Sequence, residues 1–194
     1  MKQSAGAKTL AMPTPVWLVG TYDADGRPNL MTIAWGGICC SQPPAVTVSL
    51  RRATHSYAAI GARRAFTVNI PGAAQVTEAD YIGTVSGRDA DKFAACGWTA
   101  VRSELVDAPY AAQVPLVLEC RLIHTLEIGL HTQFVGEIVD VKAEPDVIGD
   151  KGYPDITRVQ PFIWDPAHRR YFGLGECLGT AWEIGKALVP EENR

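Results

Sequence analysis

Two adjacent stretches of sixteen residues predict the longest element of this fold. VPLVLECRLIHTLEIG (114–129) and LHTQFVGEIVDVKAEP (130–145) are both rich in apolar and β-branched residues, as strands are. Gly129 stands where the two stretches meet, so we predict one long antiparallel hairpin. A hairpin on its own is only marginally stable in water, and it needs further strands or helices to cover it. The remainder of the chain must supply those elements.

Shorter stretches on both sides of this hairpin predict more strands and a few short helices. Alternation is clearest in AVTVSL (45–50), where Val46, Val48 and Leu50 fall on one face. Strands are predicted at 15–23, 29–35, 45–50 and 65–71, helices within 51–64, 73–87, 89–97 and 178–194, and hairpin turns at Asp25-Gly26 and Asp165-Pro166. We interpret GGICCSQPP (36–44) as a turn. The pattern favours a mainly β fold, a closed or nearly closed antiparallel barrel with short helices.

The composition fits one compact domain and excludes several classes of partner. The chain has 194 residues, 47% of them hydrophobic, and a net charge of −3, so it has no general attraction for nucleic acid or anionic lipid. No apolar stretch approaches the roughly 20 residues of a membrane span. The five cysteines are odd in number and show no disulfide or metal spacing. We therefore expect a single domain over 1–194, reduced thiols and a cytoplasmic protein.

Several familiar motifs of catalysis and metal binding are missing. GLGECLG (173–179) lacks the glycine spacing and the βαβ context of a dinucleotide-binding fingerprint. Glu127 and His131 would lie about 13 Å apart on one strand, unless a turn at Gly129 intervenes, so we predict no metal site. Cys39 and Cys40 are too close in sequence for an unstrained disulfide, and we expect them to pack in a loop.

Two segments carry polar groups suited to a ligand. RRATHSY (51–57) places arginines and hydroxyls at a predicted helix start, which suits a phosphate. An ordinary capped surface helix with solvated arginines is the alternative. In 29–35, Asn29 and Thr32 could meet the polar edge of a heterocycle while Trp35 supplies an apolar face, although core packing is the commoner role of a tryptophan.

The order of these pieces is similar to that of a known family. N-x-M-T-I-A-W (29–35), PP-x-V-x-V-S-L (43–50), R-x-x-T-H-S-Y (51–57), F-T-V-N-I-P (66–71) and S-G-R-D-x-D-K-F (86–93) follow one another along the chain. This order resembles the flavin reductase-like family, and within it most closely the flavoredoxins. The resemblance covers roughly residues 12–182. It implies the FMN-binding split barrel, an antiparallel Greek-key β-barrel with short helices.

The resemblance also implies a ligand and its contacts. Members of the family bind FMN without a covalent bond, near the interface of a homodimer. The positions that match their cofactor segments are Asn29, Met31, Thr32, Ala34 and Trp35 along the ring, Ser49, Leu50 and Arg51 towards the ribityl chain, and Thr54, His55, Ser56, Ser86 and Lys92 at the phosphate. G-L-H (129–131) matches a Gly-x-His segment that places His131 near a nicotinamide.

We therefore expect an FMN-dependent oxidoreductase that accepts hydride from NADH or NADPH and passes electrons to a flavin, a protein or a small acceptor. FMN carries such chemistry itself, so no protein nucleophile is required. Three alternatives stay open. They are an FMN electron carrier that is reduced by a redox protein partner, a non-catalytic flavin-binding barrel, and a redox protein that uses Cys39 or Cys40.

Overall fold

The computed structural model describes residues 1–190, which form twelve β-strands and four α-helices. The strands are β1 Thr14–Pro15, β2 Trp17–Tyr22, β3 Pro28–Ile33, β4 Gly36–Ser41, β5 Pro44–Arg51, β6 Ala65–Ile70, β7 Ala100–Arg102, β8 Pro109–Ala111, β9 Leu116–Ile128, β10 His131–Ala143, β11 Ile163–Asp165 and β12 Arg170–Phe172. The helices are α1 His55–Arg63, α2 Val76–Thr84, α3 Lys92–Cys96 and α4 Ile156–Val159. Short 3₁₀ helices occur at Ala73–Gln75, Pro145–Val147 and Ile184–Leu188.

The long hairpin that the sequence predicts is present, and it stands at the centre of a seven-stranded sheet. The order of the strands is β3-β2-β6-β9-β10-β5-β4, and every neighbouring pair is antiparallel. Each arm of the β9–β10 hairpin is therefore covered by another strand. Gly129 forms the turn with a positive φ of 51°. The prediction of a mainly β fold with short helices is confirmed.

One face of the sheet closes around an apolar core. Val46, Val48 and Leu50 are all fully buried, as their alternation predicted, and they pack with Phe66 and Phe134. Gly136 on β10 makes room for this core. A Cβ added there would stand 2.5 Å from the ring of Phe66. We infer that a larger residue at this position would displace the ring.

A second apolar cluster lies on the opposite side of β2 and β3. Leu18 and Leu30 pack there against Ile82 of α2, Phe93 of α3 and Phe162. The helices predicted within 73–87 and 89–97 therefore cover the sheet. The packing brings the end of α2 directly above β3, where the functional site described below begins.

The interpretation of 36–44 as a turn was correct for Gln42 and Pro43 but wrong for residues 36–41. Residues 36–41 form the edge strand β4, which pairs with β5 as far as Ser41 opposite Pro44. Strand pairing uses backbone groups, so a segment with two glycines and little apolar alternation still joined the sheet. Cys39 and Cys40 are consequently exposed on this strand instead of packed in a loop, which corrects that expectation.

The remaining differences concern short elements. β7 and β8, which pair as a small separate hairpin, were not predicted. The short helix α4, which was also not predicted, forms after an Asp155 cap whose carboxylate accepts from Thr157 N at 2.8 Å. The helix predicted within 178–194 is a short 3₁₀ helix, and part of that range lies outside the described residues.

A layer of buried polar side chains supports the outer side of the sheet beneath β8. Thr67 Oγ1 donates to Pro109 O, and Asn69 Oδ1 accepts from Ala111 N at 2.9 Å. Next to Thr67, Glu119 is fully buried and has Lys142 Nζ 3.7 Å from its Oε1. A buried carboxylate without a cation beside it would be costly, so Lys142 stabilises this layer.

None of the helices in the described part of the chain is long and apolar enough to cross a membrane.

Candidate functional site

A cavity of about 540 Å³ opens where the end of β3 faces α2 and the ends of β5 and β10. Its wall contains eight residues that the sequence predicted for a cofactor or nicotinamide. These are Met31, Thr32, Ala34, Trp35, Ser49, Arg51, Thr54 and His131. The other residues of this first cavity are Val16, Ile33, Asp80, Gly83, Thr84, Trp164 and Tyr171. Residues far apart in sequence thus meet at one site.

A second cavity of about 290 Å³ adjoins the first, because Met31, Thr32, Thr54, Gly83 and Thr84 line both. The wall of the second cavity adds the remaining predicted polar residues. These are Asn29, His55, Ser56, Ser86 and Lys92. The two cavities differ in character, since the first is mainly apolar and aromatic while the second is lined by hydroxyls, amides and cations.

Leu50 is the predicted residue that the described cavity walls do not include. Its side chain is fully buried in the barrel core. Successive residues of a strand point to opposite faces, so Ser49 and Arg51 face the first cavity while Leu50 faces inward. Of these three predicted residues, Ser49 and Arg51 therefore line the cavity, and the side chain of Leu50 packs in the core.

An aromatic row forms one side of the first cavity. The ring of Trp35 stacks on His131 with centroids 6.5 Å apart and planes inclined by 27°, and it meets Trp164 at 5.8 Å and 47°. Trp35 follows β3, whereas Trp164 arrives on β11 and His131 begins β10. Three separate elements hold these rings, so the row presents a broad apolar surface to a planar ligand.

Helix α2 fixes the opposite side of the first cavity through two hydrogen bonds. Thr32 Oγ1 donates to Ala79 O at 2.6 Å, and Tyr171 Oη donates to Asp80 Oδ1 at 2.8 Å. Burial and the bond to Asp80 raise the pKa of Tyr171 to about 12, so this phenol stays protonated at neutral pH. The helix approaches closely because Gly83 has no side chain. A Cβ there would stand 3.1 Å from the Cβ of Thr32.

The second cavity contains a serine hydroxyl whose O–H is still free to donate a hydrogen bond. Ser56 Oγ accepts from Asn29 Nδ2 at 2.9 Å and from Thr21 Oγ1 at 3.2 Å. A serine hydroxyl has two acceptor sites and one donor, so its own O–H remains for a further partner. Ser56 and Asn29 are both buried, and Ser56 lies in the first turn of α1.

The start of α1 also leaves backbone donors open to this cavity. Thr54 occupies the N-cap position, but its hydroxyl donates back to Arg51 O at 2.8 Å. Within the described residues, no side chain caps the first N–H groups of the helix. Such groups, together with the helix dipole, attract anions. The local geometry therefore agrees with a phosphate-binding helix start better than with an ordinary capped helix.

Lys92 is more deeply buried than a solvated phosphate contact would be. Its Nζ donates to Leu30 O at 2.9 Å and to Ile82 O at 2.8 Å. Burial lowers the pKa of Lys92 from 10.5 to about 8, a shift only partly opposed by Cys96. An ammonium has three N–H donors, so one remains, and Lys92 lines the second cavity.

Sequence reasoning missed several residues of the site. Arg88 lines the second cavity and donates from Nη1 to Ala53 O at 3.1 Å, which ties it to the segment before α1. It stands within the SGRDADKF segment, where its charge was a usable signal. Trp164 and Tyr171 gave no local signal, because only the pairing of β1, β11 and β12 carries them to the cavity.

His55 connects the site with a further polar cavity of about 260 Å³. His55 Nε2 lies 3.7 Å from Asp23 Oδ2. Burial alone would raise the pKa of Asp23, but the Arg27 and Asp25 backbone N–H groups and the Arg27 guanidinium lower it. Asp23 therefore stays ionised beside His55.

Residues 1–190 contain no cluster of three or more His, Cys, Asp or Glu side chains that could hold a metal ion.

Comparison with known proteins places this site in a family. The family model of the flavin reductase like domain matches residues 9–171. Flavoredoxin of Desulfovibrio vulgaris (Miyazaki F) is 54% identical, with a TM-score of 0.91 over 96% of this chain and 100% of that one. Flavoredoxin from Methanosarcina acetivorans is 30% identical, with a TM-score of 0.87 over 97% and 98% of the two chains. A flavin reductase (NADH) of Kitasatospora aureofaciens is 29% identical over 138 residues, which are 71% of this chain and 70% of the relative.

These likenesses agree with the motif order and with the position of the cavities. The overlap with both flavoredoxins confirms the split-barrel fold that the sequence resemblance implied. The matched segment, 9–171, includes every residue of the aromatic row and of the polar second cavity. The chain therefore belongs to the flavin reductase like domain family.

Proposed function

We propose that this protein is an FMN-binding oxidoreductase that accepts hydride from NADH or NADPH. The observation that carries the proposal is the pair of adjoining cavities, one apolar and aromatic, the other rich in phosphate-binding groups. FMN has the same two-part chemistry, a flat ring system and a terminal phosphate. The names of the flavoredoxins and of the NADH flavin reductase lend further support.

The residues of the first cavity fit the ring of a flavin. Trp35 and Met31 offer apolar surface, while Thr32 Oγ1 keeps acceptor capacity after donating to Ala79 O. The cavity volume of about 540 Å³ lies in the usual range for cofactor sites. We assign Met31, Thr32, Ala34 and Trp35 to the ring, and Ser49 and Arg51 to the ribityl side.

The residues of the second cavity fit a phosphate dianion. The free O–H of Ser56 and the third N–H of Lys92 supply donors, and the uncapped start of α1 supplies backbone N–H groups. Arg88 adds a guanidinium at the rim. So many donors without an acceptor would be costly in an empty scaffold, so these residues argue against a barrel that has kept the fold without a ligand.

When bound, FMN supplies the hydride and electron transfer that no side chain of the protein provides. The protein's part is to hold the ring against the aromatic row, to keep the phosphate end fixed and to leave one side of the first cavity open. His131 lies at this cavity beside Trp35, where we assign it a contact with the nicotinamide.

We also propose that the protein is a homodimer with the flavin site near its interface. Ser49 pairs with Gln133, and Gln133 pairs with Leu126, so these side chains share the outer face of the sheet. On the same face, Leu126 and Ile128 are each 54% exposed. An apolar sheet face that continues into the cavity wall is suited to a second copy of the chain.

Two measurements test the proposed activity. Apoprotein mixed with FMN should shift the flavin absorption and quench its fluorescence, whereas a protein that leaves both unchanged would refute the proposal. Anaerobic mixing of the FMN complex with NADH and with NADPH should bleach the flavin absorption with at least one donor. The relative rates with the two nicotinamides then identify the preferred one.

A second candidate is an electron carrier that has no nicotinamide site of its own. The 54% identity to a flavoredoxin favours it, because that protein is named as a redoxin. In this case neither nicotinamide bleaches the bound flavin, while a reduced protein partner does.

A third possibility uses the exposed thiols of Cys39 and Cys40, and it predicts that replacing both by Ser abolishes electron transfer. The cytoplasmic location and the single domain over 1–194 stay predictions.

A further inference from the structure

A C-terminal arm of the described structure carries several large apolar side chains that stay exposed. The arm, residues 173–190, follows β12 and includes the last 3₁₀ helix. Its large side chains are mostly in solvent, with Leu178 94% exposed, Trp182 91% and Leu188 89%. Ile184 is 62% exposed and Leu174 46%. Exposed apolar side chains concentrated in one segment mark an interaction surface.

The composition of the arm differs from that of a solvated tail. Disordered tails are rich in charge and poor in aromatic and aliphatic residues. GLGECLGTAWEIGKALVP instead spaces a tryptophan, three leucines and an isoleucine among small residues. The backbone bonds of Glu183, Ile184 and Lys186 run to Thr180 and Glu183, which are themselves in the arm. Backbone hydrogen bonds therefore fold the second half of the arm on itself, and the side chains of Leu178, Trp182 and Leu188 remain exposed to another surface.

The arm leaves the fold beside the flavin cavity. Tyr171, on β12 immediately before it, lines the first cavity. Apolar surface on the outer face of the long hairpin lies near the same cavity, where Leu126 and Ile128 are each 54% exposed and Leu130 66%. That face continues into His131, which also lines the cavity. An exposed arm and an exposed sheet face thus border one site without covering each other.

We propose that the arm of one copy packs across the outer hairpin face of a second copy and completes the wall of the second copy's flavin cavity. This inference rests on the proposed flavin site. In a two-fold dimer the exchange is reciprocal, so each arm covers the face that the other copy leaves exposed.

The dimensions of the arm agree with this exchange. Eighteen residues reach at most about 60 Å when extended, whereas a domain of this size has a radius of gyration of about 16 Å. The arm can therefore cross a neighbouring copy even with part of it coiled. A stable interface uses roughly 20–30 residues from each side. The arm and the hairpin face together supply about that number, and the tryptophan is a typical anchor.

The first test compares the full chain with a shortened chain that ends at Phe172. Light scattering behind a sizing column measures the mass, and titration with FMN measures the affinity. We expect a dimer for the full chain and mainly monomer, with at least about tenfold weaker FMN binding, for the shortened chain. A full chain that is monomeric, or a shortened chain that stays a dimer with unchanged FMN affinity, overturns the proposal.

Point variants keep the test valid if the shortened chain fails to fold. Trp182→Ala changes a side chain that is 91% exposed, so the fold of each copy should survive. We expect the dissociation constant of the dimer to rise by roughly thirtyfold, as is typical when a tryptophan is removed from an interface. Leu105→Ser is the matched control, because Leu105 is 59% exposed in the turn between β7 and β8. Equal dissociation constants for Trp182→Ala and Leu105→Ser overturn the proposal.

Mixed dimers separate an arm that acts on its neighbour from one that folds over its own cavity. The shortened chain, which keeps its cavity, is mixed with a full chain carrying Arg51→Glu and Arg88→Glu, which keeps its arm but repels phosphate. We expect the mixture to regain one tight FMN site per pair, although neither chain alone has one. If the mixture does not regain a tight FMN site, the proposed exchange of arms is overturned. The mass measurements need no FMN. They therefore test the exchange of arms by themselves, whereas the titration with FMN tests the proposed flavin function.

Discussion

Lys92 should make the affinity for FMN depend on pH, while the affinity for riboflavin stays nearly constant. In the protein without ligand, burial lowers the pKa of Lys92 to about 8. A phosphate in the second cavity would stand near this ammonium and favour its charged form. The two groups are therefore linked, and FMN binds best when Lys92 carries its proton.

The size of this effect follows from the two pKa values. Unit charges about 5.5 Å apart, a wider separation than a direct hydrogen bond gives, already attract by about 3 kcal/mol at an effective dielectric constant of 20, which equals about two pKa units. The pKa of Lys92 should therefore rise from about 8 to roughly 10 when FMN binds. Below pH 8 the lysine is charged in both states and the affinity is constant. Above pH 8 binding requires proton uptake, so the FMN dissociation constant should rise about tenfold between pH 7 and pH 9.

The assay is a fluorescence titration of apoprotein with FMN and with riboflavin at constant ionic strength. Burial raises the pKa of the neighbouring Cys96 thiol, so Cys96 should contribute little charge over this range. Riboflavin has no phosphate and controls for changes in the ring and in the fold. Lys92→Met provides a second control, because its FMN affinity should be weaker but independent of pH. An FMN dissociation constant that stays flat to pH 9, or one that changes in parallel with riboflavin, would refute the reasoning.

Three further predictions concern the cavity rim and the buried polar layer. Replacing Arg88 by Ala should weaken FMN by about tenfold and riboflavin hardly at all, in the same titration. His131→Ala should slow flavin bleaching by NADH or NADPH in stopped flow and leave the FMN dissociation constant unchanged; equal rates would remove His131 from the nicotinamide site. Lys142→Met should lower the free energy of unfolding by about 3 kcal/mol in urea, because Glu119 is left buried without its cation, and Glu119→Gln in the same chain should restore part of the loss.

Most of the residues that the sequence nominated for a ligand line the two adjoining cavities, because they stand in three short runs. Residues 29–35, 49–56 and 86–92 each carry a strand or helix signal beside a polar motif. The first two runs contribute to the walls of both cavities, and the third contributes to the second cavity. Alternation along β5 was enough to separate inward from outward side chains. The long hairpin was equally accessible, since its apolar pattern extends over both arms.

Long-range pairing decided the parts that were not predicted. Trp164 reaches Trp35 only because β1 and β11 pair across the chain, with Thr14 opposite Trp164. No pattern near Trp164 encodes that partner. The edge strand β4 is similar, because its glycines and cysteines have low strand propensity and its pairing with β5 comes from the backbone. Nor does the sequence reveal that Lys92 is buried beneath two carbonyl oxygens.

The strand β5 explains why core and site are difficult to change separately in this fold. Val46, Val48 and Leu50 build the barrel core, while the intervening Ser49 and the following Arg51 line the first cavity. A one-residue shift of register would move the whole apolar set outward and place an arginine in the core. The free energy that buries the core therefore also fixes the direction of the cavity residues. The core and the direction of the cavity residues depend on the same alternation. The pattern of β5 in the sequence therefore predicts both which side chains are buried and which face the cavity.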